Sequence, residues 1–315
     1  MDYIQSQLDN TLDKVTLNLD AEYYKGKVRD NYFVEDKIVM VTSDRVSAFD
    51  HVLGTIPFKG QILNEIALFW FDKTKHIVPN HIISSPDPQV LLAKKAKTLP
   101  VEVIVRQYIT GSLWREYSSG INGQYGFMLQ NNLLENQRFN QPILTPSTKA
   151  EYGLHDEPIS KDEIITNKLV DKKIYEKAEE YALALFSEGK KWANKQGLIL
   201  VDTKYEFGIF EGELIVIDEI HTPDSSRYWV KDEYEKRFQN NQSQLMLDKE
   251  NMRQWLIDNN FSGEGTPPEL SDDIRILLAE KYIELYQKLT GKIFSPSIGN
   301  VSERINMNLL KAKLI

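Results

Sequence analysis

The sequence predicts an α+β protein, and three stretches of it carry that prediction. The first 110 residues hold short strand-like runs separated by turn residues, as in an antiparallel sheet. Residues 160–196 repeat apolar positions at helical spacing, and two more helical patterns follow at 242–259 and 271–291. An order of strands first and helices last is typical of the α+β class.

The N-terminal region is predicted to be β-rich with one amphipathic helix. Three runs rich in valine, isoleucine or tyrosine are predicted strands: 23–34, 37–44 and 99–109. Apolar residues at helical spacing predict a helix over 61–77. We place a domain boundary near Gly111, so that a β-rich domain spans 1–110 and a mixed α+β domain spans 111–315.

Composition excludes several kinds of site. The chain of 315 residues is 41% hydrophobic and 27% charged, which is ordinary for a soluble globular protein. A net charge of -8 argues against a general nucleic-acid binder. Cysteine is absent, so disulfides, thiolate zinc sites and cysteine nucleophiles are excluded. No signal peptide is visible and no apolar run approaches the ~18 residues of a membrane span, so we expect a cytoplasmic protein without a membrane partner.

The stretch LILVDTKYEFG at 198–208 begins as a buried strand and then turns polar. Asp202, Lys204 and Glu206 alternate with other residues. Because successive side chains of a strand point to opposite faces, the three charges share one face. That face is either simply solvated or the floor of a site for a charged ligand.

The register of the hairpin that follows decides which acids meet on this face. A two-residue loop at 211–212 would set Asp218 opposite Tyr205 and away from Glu206, whereas a three-residue loop at 211–213 would set it opposite Glu206. Facing carboxylates repel unless a cation joins them, and oxygen ligands suit Mg²⁺. A metal site therefore requires the three-residue loop, and an ordinary hairpin with one wet face is the alternative.

Basic residues surround a single glycine in YKGKVRD at 24–30. Lys25 and Lys27, on either side of Gly26, would cover nucleotide phosphates together with backbone N–H groups. An exposed basic strand edge that discourages aggregation explains the same residues, and one glycine does not make a P-loop.

Two further regions have the residue types of an anion site. Arg106 ends a predicted strand, and Ser112 is the predicted N-cap of the next helix. Arg227 follows the acidic hairpin closely, in the turn that also contains Ser226. Plain helix capping, a strand-end salt bridge and turn formation are the simpler interpretations.

A basic pair lies further along the chain. Lys249 and Arg253 are i and i+4 in the predicted helix over 242–259, so they share one helix face. A solvated helix face is the usual explanation of such a pair, and only a nearby anion site would give it a binding role.

The segments LPVEVIVRQYITGS at 99–112 and LVDTKYEFG at 200–208 closely resemble the two signature segments of the SAICAR synthetase family. YKGKVRDNY, TSDRVSAFD, ILNEIALFWF, DEIHTPDSSRYW and AEKYIELYQKLTG resemble the longer form of that family, in the right order along nearly the whole chain. The resemblance implies a two-lobed fold with a cleft, in which a mixed α/β ATP-binding domain with C-terminal helices follows an N-terminal antiparallel β domain. The longer form also suggests a monomer.

The family joins the carboxylate of carboxyaminoimidazole ribonucleotide (CAIR) to the amine of L-aspartate in purine biosynthesis, using ATP and Mg²⁺. For this chain the resemblance implies that Asp202 and Lys204 face the reacting carboxylate and that Glu206 and Asp218 bind Mg²⁺. Residues implied to contact ATP are Lys25, Gly26, Lys27, Lys149 and Glu206. Residues implied to hold CAIR are Arg106, Ser112, Ser226, Arg227, Lys249 and Arg253.

Two other functions would use part of the same residue set. A small-molecule kinase on a related two-lobed scaffold would share the basic hairpin and the Mg²⁺ carboxylates, but it would not need the anion pocket. A nucleotide-binding regulatory module would lack catalysis, yet the chain retains every acid and base that the ligation needs.

Overall fold

Two antiparallel sheets form the framework of the protein. The computed structural model describes residues 2–48, 51–149, 156–247 and 250–315. Sheets and covering helices together confirm the predicted α+β class. None of the helices in these ranges has the length and apolar character needed to cross a membrane.

The first sheet has five strands. Their order across the sheet is β1 (Glu22–Lys25), β2 (Arg29–Val34), β3 (Lys37–Thr42), β7 (Val90–Lys94) and β6 (Ile82–Asp87). Two other strands pair only with each other: β4 (Arg45–Ala48) and β5 (His51–Thr55). A two-residue turn joins β2 to β3, and its first residue, Glu35, has the left-handed φ of 53° that such turns favour.

The second sheet is built around β11 (Leu198–Phe210). Three strands pair directly with it: β8 (Lys97–Tyr108), β12 (Glu213–Ile217) and β13 (Ser226–Val230). Two strands pair with β8: β9 (Arg138–Leu144) and β10 (Ser147–Thr148). The chain passes from the first sheet to the second between β7 and β8, ahead of Gly111, and the domain boundary near that residue stays a prediction.

Helices pack on both sheets and on each other. In chain order they are α1 (Asp2–Ser6), α2 (Lys59–Thr74), α3 (Gly111–Ser118), α4 (Lys161–Thr166), α5 (Lys172–Lys195), α6 (Lys231–Gln239), α7 (Glu250–Asp258), α8 (Asp272–Thr290) and α9 (Val301–Lys311). The long α5 lies against β11 and β8, and α2 lies against α8.

Packing of α5 determines which way the charged face of β11 points. Ala178 and Ala182 of α5 are fully buried in the main core with Tyr205 and Phe207 of β11. Complete burial of a side chain such as phenylalanine contributes about 1.5–3 kcal/mol. Because the charged residues of β11 alternate with these aromatic residues, burying the aromatic face turns the charged face away from α5.

The helix predicted over 160–196 is interrupted. Ser160 and Glu163 form a capping box that starts α4. Lys168 then has a left-handed φ of 56°, and the Asp171 side chain caps α5. Two separate cap signals therefore start two helices where the apolar spacing alone predicts one.

The pattern at 242–259 is helical only in its second half. Val230 N–H donates to the Leu245 carbonyl at 2.9 Å, and Met246 bridges to Trp229, so this part runs along the edge of the sheet. The helix α7 begins only at Glu250. Hydrogen bonds to the backbone of the edge strand β13 keep this part of the chain extended, although its apolar spacing is helical.

Candidate active site

Charged side chains of β8 and β11 form one polar surface. The register sets Asp202 opposite Arg106 and Glu206 opposite Glu102, with Lys204 between the two acids of β11. Side chains of directly paired residues lie on the same face of a sheet. We call these five side chains the polar floor.

The acidic end of the polar floor is a chain of ion pairs. Lys204 Nζ donates to Glu102 Oε1 and to Glu206 Oε1, at 2.7 Å in each case. Lys149, which follows β10, contacts the other oxygen of Glu206, Oε2. Two carboxylates and two ammonium groups therefore alternate at this end.

Burial and neighbouring charge set the protonation of the two glutamates. Burial opposes the charged form of Glu206, but the ammonium groups of Lys204 and Lys149 outweigh it and hold the pKa of Glu206 below its ordinary value. Burial raises the pKa of Glu102 to about 7, because Lys204 offsets it only in part and the charge of Glu206 adds to it. Glu206 is thus a carboxylate, while Glu102 takes up a proton near neutral pH.

The hairpin after β11 has the shorter of the two loops, which corrects the predicted register. Phe210 pairs with Glu213, so the loop has two residues and not the predicted three, and Glu206 faces Ile217. The loop residues have φ values of 51° and 83°, the left-handed conformation of a two-residue turn. The first position of the shorter loop is Glu211, which adopts the left-handed conformation although it is not glycine.

Asp218 nevertheless approaches the polar floor by another route. The strand β12 ends one residue earlier, and Asp218 has a left-handed φ of 63°, which breaks the alternation of the strand. Burial and the nearby charge of Glu206 raise the pKa of Asp218 against the opposing charge of Arg29. The carboxylates of Asp218 and Glu206 are therefore within electrostatic reach of each other despite the register.

The other end of the polar floor, its basic end, holds two guanidinium groups on one carboxylate. Arg106 Nη1 donates to Asp202 Oδ2 at 3.0 Å, and Arg227 Nη1 donates to the same oxygen. Arg106 also donates to Thr145 Oγ1 at 2.8 Å and to Ser112 Oγ at 3.3 Å. Two guanidinium groups therefore meet at this end, and guanidinium groups are common partners of phosphate and carboxylate anions.

The helix α3 begins at the basic end. A Cβ at Gly111 would lie 2.4 Å from Arg227 Nη2, so the guanidinium occupies space that only glycine leaves. N–H groups of a first helical turn lack helical partners and attract anions. Ser112 is not the N-cap as predicted: that position is Thr110, whose side chain makes no capping bond, and the Ser112 hydroxyl accepts from Arg106 instead.

The structure brings Arg227, but not the Ser226 hydroxyl, to the polar floor. Ser226 pairs with Thr203, and its Oγ donates to Thr203 Oγ1 at 2.7 Å. Thr203 follows Asp202 directly in the strand, so its side chain points to the opposite face. The Ser226 side chain therefore supports the strand pair from behind.

The basic hairpin between β1 and β2 has a fixed backbone. Gly26 N–H donates to the Arg29 carbonyl at 2.8 Å, and a Cβ at Gly26 would lie 2.7 Å from that oxygen. The fully buried Arg45 donates to the carbonyls of Gly26 and Lys27, at 3.1 and 3.0 Å. Lys25 and Lys27 are exposed on this supported turn.

Arg29 connects the basic hairpin to the acidic end. It donates through Nη1 to Asp218 Oδ1 at 2.8 Å and through Nη2 to Glu219 Oε2 at 2.5 Å. The sequence prediction counted Arg29 among the basic residues of the hairpin and assigned no role to Glu219 or Glu102. For Glu102 a signal was present, because it precedes Arg106 by four residues and an even spacing in a strand gives the same face.

The turn from Asp218 to Arg227 is anchored from outside the sheet. Lys59 at the start of α2 is fully buried and donates to Asp224 Oδ2 at 2.8 Å. Tyr282 of α8 donates to Asp224 Oδ1 at 3.2 Å. This turn joins the acidic end to the basic end, so its anchor supports both.

Two predicted residues cannot be placed in this geometry. Lys249 lies outside the described residues. Arg253 belongs to α7, and only this backbone position is described. Their part in an anion pocket stays a prediction.

The acidic end fits a metal ion that keeps substrate or solvent ligands. Across the described ranges, no group of three or more histidine, aspartate or glutamate side chains is arranged to hold a metal ion. Mg²⁺ is commonly bound by one or two carboxylates and completes its shell with water and phosphate oxygens. Glu206 and Asp218 match that smaller requirement.

Comparisons with known proteins agree with the resemblance in the sequence. Residues 22–269 match the family model of SAICAR synthetase. The chain is 47% identical to a phosphoribosylaminoimidazole-succinocarboxamide synthase of Bacteroides thetaiotaomicron, covering 91% of this chain and 93% of that protein. It is 49% identical to the Cytophaga hutchinsonii protein of the same name, covering 92% and 94%.

Solved structures give the same result. The SAICAR synthase of Saccharomyces cerevisiae, in complex with SAICAR, superposes with a TM-score of 0.80 at 35% identity, over 90% of this chain and all of that one. A type-2 SAICAR synthetase in complex with ADP superposes with a TM-score of 0.67 at 26% identity, over 87% of this chain. Together with the polar floor, these matches establish that the chain belongs to the SAICAR synthetase family.

Proposed function

We propose that the chain joins the carboxylate of CAIR to the amine of L-aspartate, with ATP as the phosphoryl donor, and so forms SAICAR, ADP and phosphate in de novo purine biosynthesis. Its family membership supports this activity. The observation that carries it in the structure is the polar floor. On one face of one strand pair, the acidic end suits a metal-bound polyphosphate and the basic end suits an anionic substrate.

The reaction needs activation because a carboxylate is a poor electrophile. A carboxylate oxygen of CAIR attacks the γ-phosphorus of ATP, ADP leaves, and an acyl phosphate forms. The amine nitrogen of aspartate then attacks the carbonyl carbon, phosphate leaves, and the nitrogen loses a proton. Phosphoryl transfer of this kind is catalysed mainly by positioning and by charge neutralisation.

The acidic end and the basic hairpin take the ATP side in this proposal. Glu206 and Asp218 would hold Mg²⁺, which neutralises phosphate charge when bound. Lys149 already lies against Glu206, and Lys25 and Lys27 project from the supported turn at Gly26. These residues would align the phosphates with the substrate carboxylate.

The basic end takes CAIR in this proposal. Arg106 and Arg227 would bind its anionic groups, with the Ser112 hydroxyl and the start of α3 adding donors. Asp202 holds both guanidinium groups in place and faces the reacting carboxylate together with Lys204. Lys249 and Arg253 would complete the pocket.

Aspartate dependence is the decisive test of this function. The purified protein is incubated with ATP, Mg²⁺, CAIR and L-aspartate, and SAICAR and ADP are quantified by chromatography. We expect equal amounts of both products and no ADP above background when aspartate or CAIR is omitted. Phosphoryl transfer to CAIR that ignores aspartate and yields no SAICAR would instead indicate a small-molecule kinase.

We also propose a cytoplasmic monomer. The family suggests the oligomeric state. Sedimentation equilibrium tests it, with a mass near 36.5 kDa expected. A mass of twice that value at micromolar concentration would refute the monomer.

A further inference from the structure

The chain after α3 folds back over that helix. Tyr117 OH donates to the Gln130 carbonyl at 2.9 Å and accepts from Leu133 N–H at 3.1 Å. The Asn122 side chain exchanges two hydrogen bonds with the backbone of Leu129, at 3.2 and 2.9 Å. We call residues 119–134 the return segment, and these bonds fix its course relative to α3.

The return segment places a tyrosine beside the basic end of the polar floor. Ser112 and Glu116 are one turn apart, so they lie on the same face of α3. Ser112 accepts from Arg106, while Glu116 Oε2 accepts from Gln124 and from Tyr125 OH, the latter at 3.4 Å. The Tyr125 hydroxyl therefore lies over the face of α3 that starts at Ser112, the residue that contacts Arg106 at the basic end.

The electrostatics of Tyr125 agree with this position. Burial raises the pKa of its hydroxyl, and the positive charge of Arg106 opposes the shift. Tyr125 is thus a neutral donor within electrostatic reach of Arg106. Its 3.4 Å bond to Glu116 is long for an O–H donor, whose usual distance is about 2.7–2.8 Å, so a better-placed acceptor can replace it.

We propose that Tyr125 is a further substrate-binding residue, whose hydroxyl donates to the phosphate of the ribonucleotide held by Arg106 and Ser112. In the free protein Glu116 accepts this hydrogen bond and keeps the hydroxyl near the pocket. The proposal rests on the proposed function for the nature of the ribonucleotide. It adds a residue from the return segment, which neither signature segment of the family contains.

The test compares two tyrosines of the same region. Tyr125→Phe removes the proposed donor, whereas Tyr117→Phe removes two structural bonds of the return segment away from the basic end. Dissociation constants for CAIR alone are measured by calorimetry on both variants and on the unmodified protein. Ribose 5-phosphate, which carries the phosphate without the imidazole, is titrated in the same way.

We expect Tyr125→Phe to weaken CAIR and ribose 5-phosphate by a similar factor of about 10, the value of one hydrogen bond to a charged group. KM for ATP and aspartate and kcat should stay within about twofold. Tyr117→Phe loosens the return segment but keeps the Tyr125 hydroxyl, so it should weaken CAIR binding clearly less than Tyr125→Phe does.

Three results would overturn the proposal. These are unchanged CAIR binding by Tyr125→Phe, a loss for CAIR without a loss for ribose 5-phosphate, or an equal loss in Tyr117→Phe. SAICAR formation by the unmodified protein tests the proposed function separately. If it forms SAICAR while Tyr125→Phe binds CAIR normally, only the role of Tyr125 fails.

Discussion

The two ends of the polar floor share a strand pair and a face but balance their charges in opposite ways. At the basic end, two guanidinium groups share the carboxylate of Asp202. At the acidic end, Lys204 bridges Glu102 and Glu206, and Arg29 joins Asp218 to Glu219. The difference lies in the shared group: one carboxylate joins two cations at the basic end, and one ammonium joins two carboxylates at the acidic end.

The largest loss of activity should come from a substitution at the acidic end. Glu206→Gln keeps the shape of the side chain and removes the charge that pairs with the two lysines and that we propose for Mg²⁺. We expect kcat to fall by roughly 10³-fold, as when a group that stabilises the charge of a transition state is lost. Steady-state SAICAR formation across a Mg²⁺ titration measures it.

A control on the neighbouring strand of the hairpin sharpens this result. Glu213→Gln alters an exposed carboxylate at the start of β12 and should leave kcat within about twofold. Full turnover by Glu206→Gln at low Mg²⁺ would contradict the metal role.

The next largest effect, a loss of unfolding free energy, should come from removing the anchor of the turn that joins both ends. Lys59→Met leaves Asp224 buried without its ammonium partner, and such losses cost about 3–5 kcal/mol of unfolding free energy. Urea denaturation measures it. Lys75→Met removes a comparable pair with Asp72 at the surface and should cost no more than about 1 kcal/mol. Equal losses in the two variants would show that the turn at Asp224 is not anchored by Lys59.

A smaller effect should come from the basic end. Arg106→Lys keeps one charge but cannot reach Asp202, Thr145 and Ser112 together, because an ammonium lacks the planar fork of a guanidinium. We expect KM for CAIR to rise by about 10- to 100-fold and KM for ATP to change little. Arg237→Lys, in an exposed pair on α6, is the matched control. A larger change in KM for ATP than for CAIR would reverse our assignment of the two ends.

The smallest effect concerns the proton on Glu102 in the metal-free protein. Its pKa is about 7 in the folded chain and 4.5 in the reference state. Between these values the unfolded chain loses the proton first, so this group lowers stability as pH rises from 4.5 to 7 and contributes nothing below that range. Glu102→Gln should therefore show a flatter change of Tm over this interval. Parallel Tm curves for the two proteins would contradict a raised pKa at Glu102.

Periodicity predicted the side-chain faces of single elements well. The common face of Asp202, Lys204 and Glu206 follows from a period of two, and the paired strand β8 confirms it. The helices α2 and α8 lie where the apolar spacing predicts helices, and they pack against each other. Such predictions need only a few neighbouring residues.

Contacts between residues far apart in the sequence could not be predicted from periodicity. Arg29 and Asp218 are 189 positions apart and meet only because the first sheet approaches the end of β12. The loop after β11 was also mispredicted, since a left-handed glutamate cannot be identified from composition. The register argument for setting Asp218 opposite Glu206 was wrong, and the metal role that the family resemblance implies for these two residues stays a prediction.

Two independent requirements, the backbone conformation and the charge, restrict which residue can occupy position 218. A left-handed φ is tolerated readily by glycine, asparagine and aspartate. Of these three, only aspartate carries a negative charge. If Asp218 binds Mg²⁺ as we propose, a saturation library at this position should therefore recover aspartate as its single active residue.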